Sequence, residues 1–186
     1  GGVGSALVQM ALHEGAEVYA TAGSDEKIQA LKGLGVHHAI NYRKKDFFEV
    51  IKREGVRLDV VFDSIGGSSV KKGCKLLGAG GSMVLYGAAQ FNGANVFKKI
   101  STFLRFGFYH PIHFMSKSQS MIGVNMLRLA DYKADKIQAC LHGVVKGVQE
   151  GWLDPTVGGV YPIDNLAQAH NDLGQRKTTG KVTVTW

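Results

Sequence analysis

The sequence Gly1-Gly2-Val3-Gly4 stands directly before an apolar pattern of helical spacing, which Gly15 ends. A strand pattern follows at residues 17–22. Glycines at the start of a helix, followed by a strand, are typical of the second half of a dinucleotide-binding βαβ unit. Glycine is needed there because a pyrophosphate must approach bare backbone N–H groups at the positive end of the helix. A Gly-rich turn before an ordinary helix produces the same local pattern. Only the pattern of the following residues can distinguish the two interpretations.

Strand and helix patterns alternate in the residues that follow. Each strand pattern is a continuous apolar run, which is typical of a parallel sheet covered by helices on both faces. The predicted strands occupy residues 38–42, 58–63, 82–86 and 120–126. We therefore predict an α/β fold with a Rossmann-type doubly wound parallel sheet. No strand pattern precedes Gly1, so we expect the first strand of this sheet to be missing from the sequence.

Composition places the chain among globular proteins with a packed core. Of its 186 residues, 45% are hydrophobic, 20% are charged and 25 are glycine, without a low-complexity tract. No apolar run approaches the ~18 residues that a membrane span requires, and no secretory signal opens the sequence. Cys74 and Cys140 lie far apart, which excludes a disulfide scaffold and a four-cysteine zinc site. We expect a cytoplasmic protein without a metal site, in which His110 and His113 are structural or surface residues.

The net charge of +7 is concentrated in one part of the sequence. Residues 64–130 contain eight lysines and arginines and no aspartate or glutamate, whereas the flanking parts are nearly balanced. Such a basic region suits a nucleic acid, an anionic membrane surface or a phosphorylated small molecule. No nucleic-acid-binding motif accompanies it, so we expect no nucleic-acid partner.

The residues after the strand pattern at 17–22 indicate which dinucleotide would bind. An NAD site usually places an acidic side chain about 20 positions after the glycines, on the ribose 2′-hydroxyl. Gly23 and Ser24 stand at that place, and Lys27 follows; Ser24 is also a candidate helix cap. A carboxylate would repel a 2′-phosphate, whereas a small residue, a hydroxyl and an ammonium group would favour it. The sequence therefore predicts NADP(H) as the cofactor, with a solvated helix lysine as the alternative for Lys27.

Five segments together resemble the medium-chain dehydrogenase/reductase superfamily, and within it the zinc-independent quinone oxidoreductases and the vesicle-amine-transport-protein group. The segments are residues 1–4, 20–24, 41–43, 59–67 and 179–182, which read GGVG, ATAGS, NYR, DVVFDSIGG and TGKV. The resemblance implies that residues 1–130 form an NADP-binding Rossmann domain truncated at its N-terminus. Residues 131–186 would then be a C-terminal segment that returns to a GroES-like substrate domain.

The resemblance also implies a cofactor site along the strand ends. The implied pyrophosphate contacts are Gly1, Gly2 and Val3. The implied 2′-phosphate contacts are Lys27, Tyr42 and Arg176, beside Ser24. The implied nicotinamide contacts are Ser64, Ile65, Gly87, Ala88, Val124 and Asn125. For Tyr42 simple edge packing is the alternative, because a tyrosine at a strand end commonly packs there with a wet hydroxyl.

The activity implied by the resemblance is NADPH-dependent hydride transfer to a quinone or an activated enone. No side-chain acid can be assigned, so no catalytic residue is predicted. Residues 96–117 combine an apolar stripe with basic residues, which suits a membrane surface, a substrate cleft or a dimer interface. The main hypothesis is a homodimeric reductase, whose missing strand and half-cleft leave this sequence by itself a poor cofactor binder. The alternative is a nucleotide-binding protein without turnover, associated with a membrane or vesicle surface through residues 96–117.

Overall fold

A computed structural model describes residues 1–87, 107–175 and 177–186. The chain divides into two compact units, of which the first comprises Gly1–Phe47 with Asp135–Trp186 and the second comprises Phe48–Ala134. The strands are β1 (Tyr19–Ala22), β2 (His38–Asn41), β3 (Leu58–Asp63), β4 (Leu77–Leu85), β5 (Ser120–Gly123), β6 (Val157–Pro162) and β7 (Lys181–Thr185). The helices are α1 (Gly2–His13), α2 (Asp25–Gly33), α3 (Phe47–Arg53), α4 (Ser68–Leu76), α5 (Pro111–Lys117), α6 (Met126–Tyr132), α7 (Ala134–Gln149) and α8 (Leu166–Gly174).

Every strand pair among these described residues is parallel. β1 pairs with β2, and β6 pairs with β7. A third sheet contains β3, β4 and β5 in that order. Parallel neighbours require a crossover connection, and helices such as α2, α4 and α8 supply it. The predicted α/β fold with parallel pairing is therefore confirmed. Within the described residues the strands are hydrogen-bonded in three separate sheets and not in one.

The core of the first unit lies between α1 and the β1–β2 pair. Val8 of α1 packs with Val18 and Val36, which precede β1 and β2, and all three side chains are buried. Val8 belongs to the apolar face that the spacing after the glycines predicts, so α1 is held by burial of that face. The helix ends where Gly15 adopts a left-handed backbone with φ of 75°, as the sequence predicts.

Residues after 150 attach to α1 within the same unit. The side-chain amide of Gln9 donates to the carbonyl oxygen of Asp154 at 2.9 Å and accepts from its N–H at 2.7 Å. The ring of His13 stacks on Trp152 with centroids 4.1 Å apart. The C-terminal part of the chain therefore completes the first unit, and the predicted domain boundary after residue 130 stays a prediction.

The core of the second unit lies under α4. Val70, Cys74, Leu77 and Met83 form one buried cluster, in which Val70 and Met83 have no exposed surface. Gly73 allows this approach, because a Cβ there would meet the buried side chain of Met83. A tightly packed α4 fixes β3 and β4 beneath it, and with them the positions of their ends.

The last strand of this sheet ends earlier than predicted. β5 stops at Gly123 instead of continuing to residue 126, because Asn125 caps α6 by accepting the N–H of Arg128 at 3.2 Å. β4 begins at Leu77, directly after α4, instead of at Ser82. A short apolar run predicts a strand but not the residue at which the chain turns into a helix.

The predicted basic segment is covered only in part. Residues 96–106 lie outside the described residues, and the remainder consists of residues 107–110, which are neither helix nor strand, and of α5. Within residues 1–87, 107–175 and 177–186, none of the helices combines the length and the apolar character needed to cross a bilayer.

Candidate functional site

The glycine loop forms the start of α1. The helix begins at Gly2 with Gly1 as its N-cap, and no side chain caps it. A Cβ at Gly2 would lie 3.1 Å from Cδ of Lys181 and 3.4 Å from the carbonyl oxygen of Gly180. The loop therefore runs close to the residues that begin β7. The first-turn N–H groups carry the positive end of the helix dipole, so this end of α1 has the chemistry that an anion requires.

Lys27 lies between this loop and the segment before β7. Its ammonium group donates to the carbonyl oxygen of Thr178 at 3.2 Å. Thr178 stands two residues before Gly180, whose carbonyl group lies against Gly2 of the glycine loop. An ammonium group has three donors, so it can bond to Thr178 and to a phosphate at the same time.

Tyr42 closes over the end of β1. A Cβ at Gly23 would lie 2.8 Å from Cζ of the Tyr42 ring and closer still to its hydroxyl oxygen. The backbone N–H of Tyr42 donates to the carbonyl oxygen of Ala22 at 3.0 Å, which fixes the approach of the two strand ends. Residue 23, where an NAD site would carry a carboxylate, therefore has no room for a side chain unless the tyrosine ring moves.

Ser24 serves as the cap of α2, as predicted. Its hydroxyl oxygen accepts the N–H of Lys27 at 3.4 Å, and its hydrogen bond to the carboxylate of Glu26 lowers the pKa of that group. The hydroxyl is therefore used both as acceptor and as donor at the helix start. A phosphate would have to share it with Glu26, and the role of Ser24 towards a phosphate stays a prediction.

The ends of β3, β4 and β5 form the second group of predicted contacts. Asp63, Leu85 and Gly123 are in register across the three strands. A Cβ at Gly87 would lie 3.1 Å from the carbonyl oxygen of Ser64 and 3.4 Å from its Cα, so the two backbones nearly touch. The N–H of Val124 donates to the carbonyl oxygen of Leu85 at 2.7 Å. Ser64 and Gly87 are thus in contact, and Val124 is bonded to the end of the same strand β4. Their role towards the nicotinamide stays a prediction.

Asp63 organises this group, although the sequence analysis did not select it. Its carboxylate is only 4% exposed and accepts the N–H groups of Ile65 at 2.9 Å and Gly66 at 2.7 Å, and the hydroxyl of Ser69. These bonds hold the backbone between β3 and α4 in one shape. The available signal was a carboxylate at the end of an apolar strand, with two glycines close behind it. The positioning of Ser64 and Ile65 depends on it.

Asn125 is committed to the helix cap through its amide oxygen. It also borders an open depression of about 380 Å³ at the end of β5. The other lining residues are Gly123, Arg128, Leu129, Tyr132 and Lys133. The guanidinium carbon of Arg128 lies 5.3 Å from the centre of the Tyr132 ring. This end of the second unit therefore carries cations beside the predicted nicotinamide contacts.

Two predicted contacts, Ala88 and Arg176, lie outside the described residues. The remaining contacts divide between the units: the pyrophosphate and 2′-phosphate residues in the first, the nicotinamide residues in the second. No group of three or more His, Cys, Asp or Glu side chains in the described ranges is placed to hold a metal ion. Those ranges therefore offer no zinc centre.

The sequence profile of the family described as zinc-binding dehydrogenase matches residues 2–140. The chain belongs to this family. The expected membership of the dehydrogenase/reductase superfamily is therefore confirmed.

Individual relatives of the family agree with the resemblance. The chain is 30% identical to the 2-haloacrylate reductase of Burkholderia sp over 190 residues, which is 99% of this chain and 52% of that protein. It is 28% identical to the synaptic vesicle membrane protein VAT-1 homolog of Danio rerio, over 100% of this chain and 39% of that protein. The chain thus spans about half or less of the length of these curated relatives.

A solved structure shows the same fold. The quinone oxidoreductase of Thermus thermophilus, whose structures include a complex with NADPH, superposes with a TM-score of 0.77 at 27% identity. The match covers 99% of this chain and 54% of that one. The dehydrogenase family fold therefore extends over nearly the whole chain.

Proposed function

We propose that the intact protein binds NADPH, with residues of this chain among its contacts, and transfers hydride from it to a quinone or an activated enone. The observation that carries the proposal is the end of β1, where the Tyr42 hydroxyl covers Gly23 and the helix that carries Lys27 begins. A carboxylate at residue 23 would need the Tyr42 ring to move, and the Lys27 ammonium bonds to the carbonyl oxygen of Thr178. The complex of the Thermus thermophilus relative with NADPH supports the same cofactor.

In this proposal each group of residues has a separate task. The start of α1 binds the pyrophosphate through backbone N–H groups. Lys27 and Tyr42 bind the 2′-phosphate by hydrogen bonds, one from an ammonium group and one from a neutral hydroxyl, and the anionic phosphate accepts both. Asp63 fixes the backbone of Ser64 and Ile65 so that, with Gly87 and Val124, it forms a rigid wall for the nicotinamide.

The cofactor, when bound, supplies the hydride, and the protein supplies position and exclusion of water. No side chain of the described residues is assigned as a proton donor. The acceptor class is supported by relatives that act on a quinone or a 2-haloacrylate, both of which carry an activated double bond. A cytoplasmic homodimer is part of the same proposal.

The test compares NADPH and NADH binding by the intact protein. Lys27→Ala should weaken NADPH binding about 10-fold to 100-fold, since a hydrogen bond to a charged group is lost, and leave NADH nearly unaffected. Lys32→Ala, an exposed lysine in the last turn of the same helix, is the matched control and should change neither. Both affinities follow from fluorescence titration of the reduced cofactors. Equal losses for the two cofactors would refute the 2′-phosphate role of Lys27.

A second candidate function is nucleotide binding without turnover at a membrane surface. It is favoured by the absence of acidic residues from residues 64–130 and by the similarity to the VAT-1 homolog of Danio rerio. Co-sedimentation with vesicles that contain or lack anionic lipid tests it, together with NADPH oxidation against a panel of quinones. Vesicle binding without oxidation supports this candidate, whereas oxidation without vesicle binding supports the reductase.

A further inference from the structure

An ion pair outside the predicted contacts joins the start of α2 to the turn after β2. Oδ2 of Asp25 lies 2.5 Å from Nζ of Lys44. Oδ1 of the same carboxylate accepts a hydrogen bond from the side-chain amide of Asn41 at 2.8 Å. Asn41 also accepts the N–H of Arg43 through its side-chain oxygen at 3.1 Å. The carboxylate of Asp25 is therefore clamped from the neighbouring strand end.

The negative charge of Asp25 lies where it would disfavour binding of the proposed cofactor. It lies between Ser24 and Lys27 in the first turn of α2, where the 2′-phosphate is proposed to bind. A doubly charged phosphate would be repelled by a nearby carboxylate. The hydrogen bond from Lys44, and after it the one from Asn41, holds the pKa of Asp25 below its usual range. The carboxylate therefore stays ionised. Its charge is offset by a cation and not by protonation.

The Asp25–Lys44 pair contributes little to folding stability. The side chains of Lys44 and Asp25 are 63% and 59% exposed, and exposed pairs of this kind contribute about 0.2–1 kcal/mol. The position of the pair has a larger consequence. With Lys44 in place, the carboxylate and the ammonium form a neutral couple beside the phosphate position. Without Lys44, a carboxylate not paired with a cation would lie directly after Gly23 and Ser24, the place where NAD-binding sites carry their acid.

We propose that the Asp25–Lys44 pair sets the preference for NADPH over NADH. Lys44 is a positioning residue in this account: it acts by cancelling the charge of Asp25 and does not itself contact the cofactor. Asn41 holds the carboxylate towards Lys44, so that the two charges stay paired. The inference rests on the proposed function, because it presupposes that the 2′-phosphate binds beside Ser24 and Lys27.

The experiment is a double-mutant cycle on cofactor affinity in the intact protein, with fluorescence titration of NADPH and NADH. Lys44→Ala should weaken NADPH binding about 5-fold to 10-fold and leave NADH binding unchanged or tighter. Adding Asp25→Ala to that variant should restore NADPH affinity to within about 2-fold of the parent protein. Lys44→Arg should keep the preference. Lys45→Ala, one residue further along the same loop, is the matched control and should change neither affinity.

The outcomes separate this inference from the proposed function. If Lys44→Ala weakens both cofactors equally, or neither, the inference is overturned. If Lys44→Ala has no effect while Lys27→Ala selectively weakens NADPH, only the inference fails. If Lys27→Ala also shows no selectivity, the proposed 2′-phosphate site fails as well.

Two further measurements keep the test decisive. The variant Lys44→Gln, which keeps much of the length of the side chain, replaces Lys44→Ala if the latter does not fold. Raising the ionic strength should reduce the selective effect of either variant, since charges exposed to solvent are screened. A selective loss of NADPH affinity that is independent of salt would contradict the electrostatic account.

Discussion

The side chains that meet at the ends of β1 and β2 are largely exposed, whereas the ends of β3, β4 and β5 are held by a buried carboxylate and by close backbone contact. On the first side, Tyr42 is 43% exposed and Lys44 pairs with Asp25 in water. On the second side, Asp63 is 4% exposed and Gly87 lies against the backbone of Ser64. Substitutions on the first side should therefore change mainly the selectivity between NADPH and NADH. Substitutions on the second side should mainly lower the free energy of unfolding.

The largest effect is expected at Asp63. Asp63→Ala removes the acceptor of two N–H groups and of the Ser69 hydroxyl, and should lower the free energy of unfolding by about 3 kcal/mol. Urea unfolding followed by circular dichroism measures it. Asp59→Ala, an exposed position on the same strand, is the control and should change the free energy by less than about 0.5 kcal/mol. Equal losses in the two variants would show that the buried carboxylate does not hold this side.

A smaller loss is expected at Gly87. In Gly87→Ala the new Cβ would meet the Ser64 backbone at 3.1 Å, and the resulting strain should lower the free energy of unfolding by about 1–2 kcal/mol. Gly123→Ala provides the comparison at the end of the neighbouring strand, since nothing lies within 4 Å of a Cβ there. The same unfolding measurement applies to both. If Gly123→Ala proved as harmful as Gly87→Ala, the close approach of the β3 and β4 ends would not be the cause.

The smallest effect on stability is expected on the first side, at Gly23. Gly23→Ala pushes the Tyr42 ring towards solvent, which should cost less than about 1 kcal/mol because the ring is already half exposed. The same change should selectively weaken NADPH binding, since the tyrosine hydroxyl leaves the proposed phosphate position. Gly33→Ala at the end of α2, where a Cβ meets nothing within 4 Å, is the control for both readouts. A large loss of stability here would remove the contrast between the two sides.

Features that depend on neighbours along the chain could be predicted from the sequence. The spacing after Gly4 predicts α1, and Ser24 before Asp25 and Glu26 predicts the cap of α2, which the structure confirms. Both are local, because a helix face and an N-cap need only residues a few positions apart. The parallel pairing was also predictable, since continuous apolar strands alternate with helices.

Features that depend on distant neighbours were not predicted. The role of Asp63 requires the turn after β3 to bring Ser69 back to it, and the Asp25–Lys44 pair requires the register of β1 with β2. The early end of β5 depends on competition between strand pairing and the cap formed by Asn125. Such competition is decided by tertiary packing, to which a short apolar run is insensitive.

The bond from Lys27 to Thr178 spans 151 positions of the chain. During synthesis at roughly 5–20 residues per second, the acceptor is made about 8 to 30 seconds after Lys27 has been added to the chain. The contact can therefore close only after Thr178 has been added to the chain. Premature termination upstream of Thr178 would yield a chain whose early elements are all encoded but in which Lys27 never acquires this acceptor.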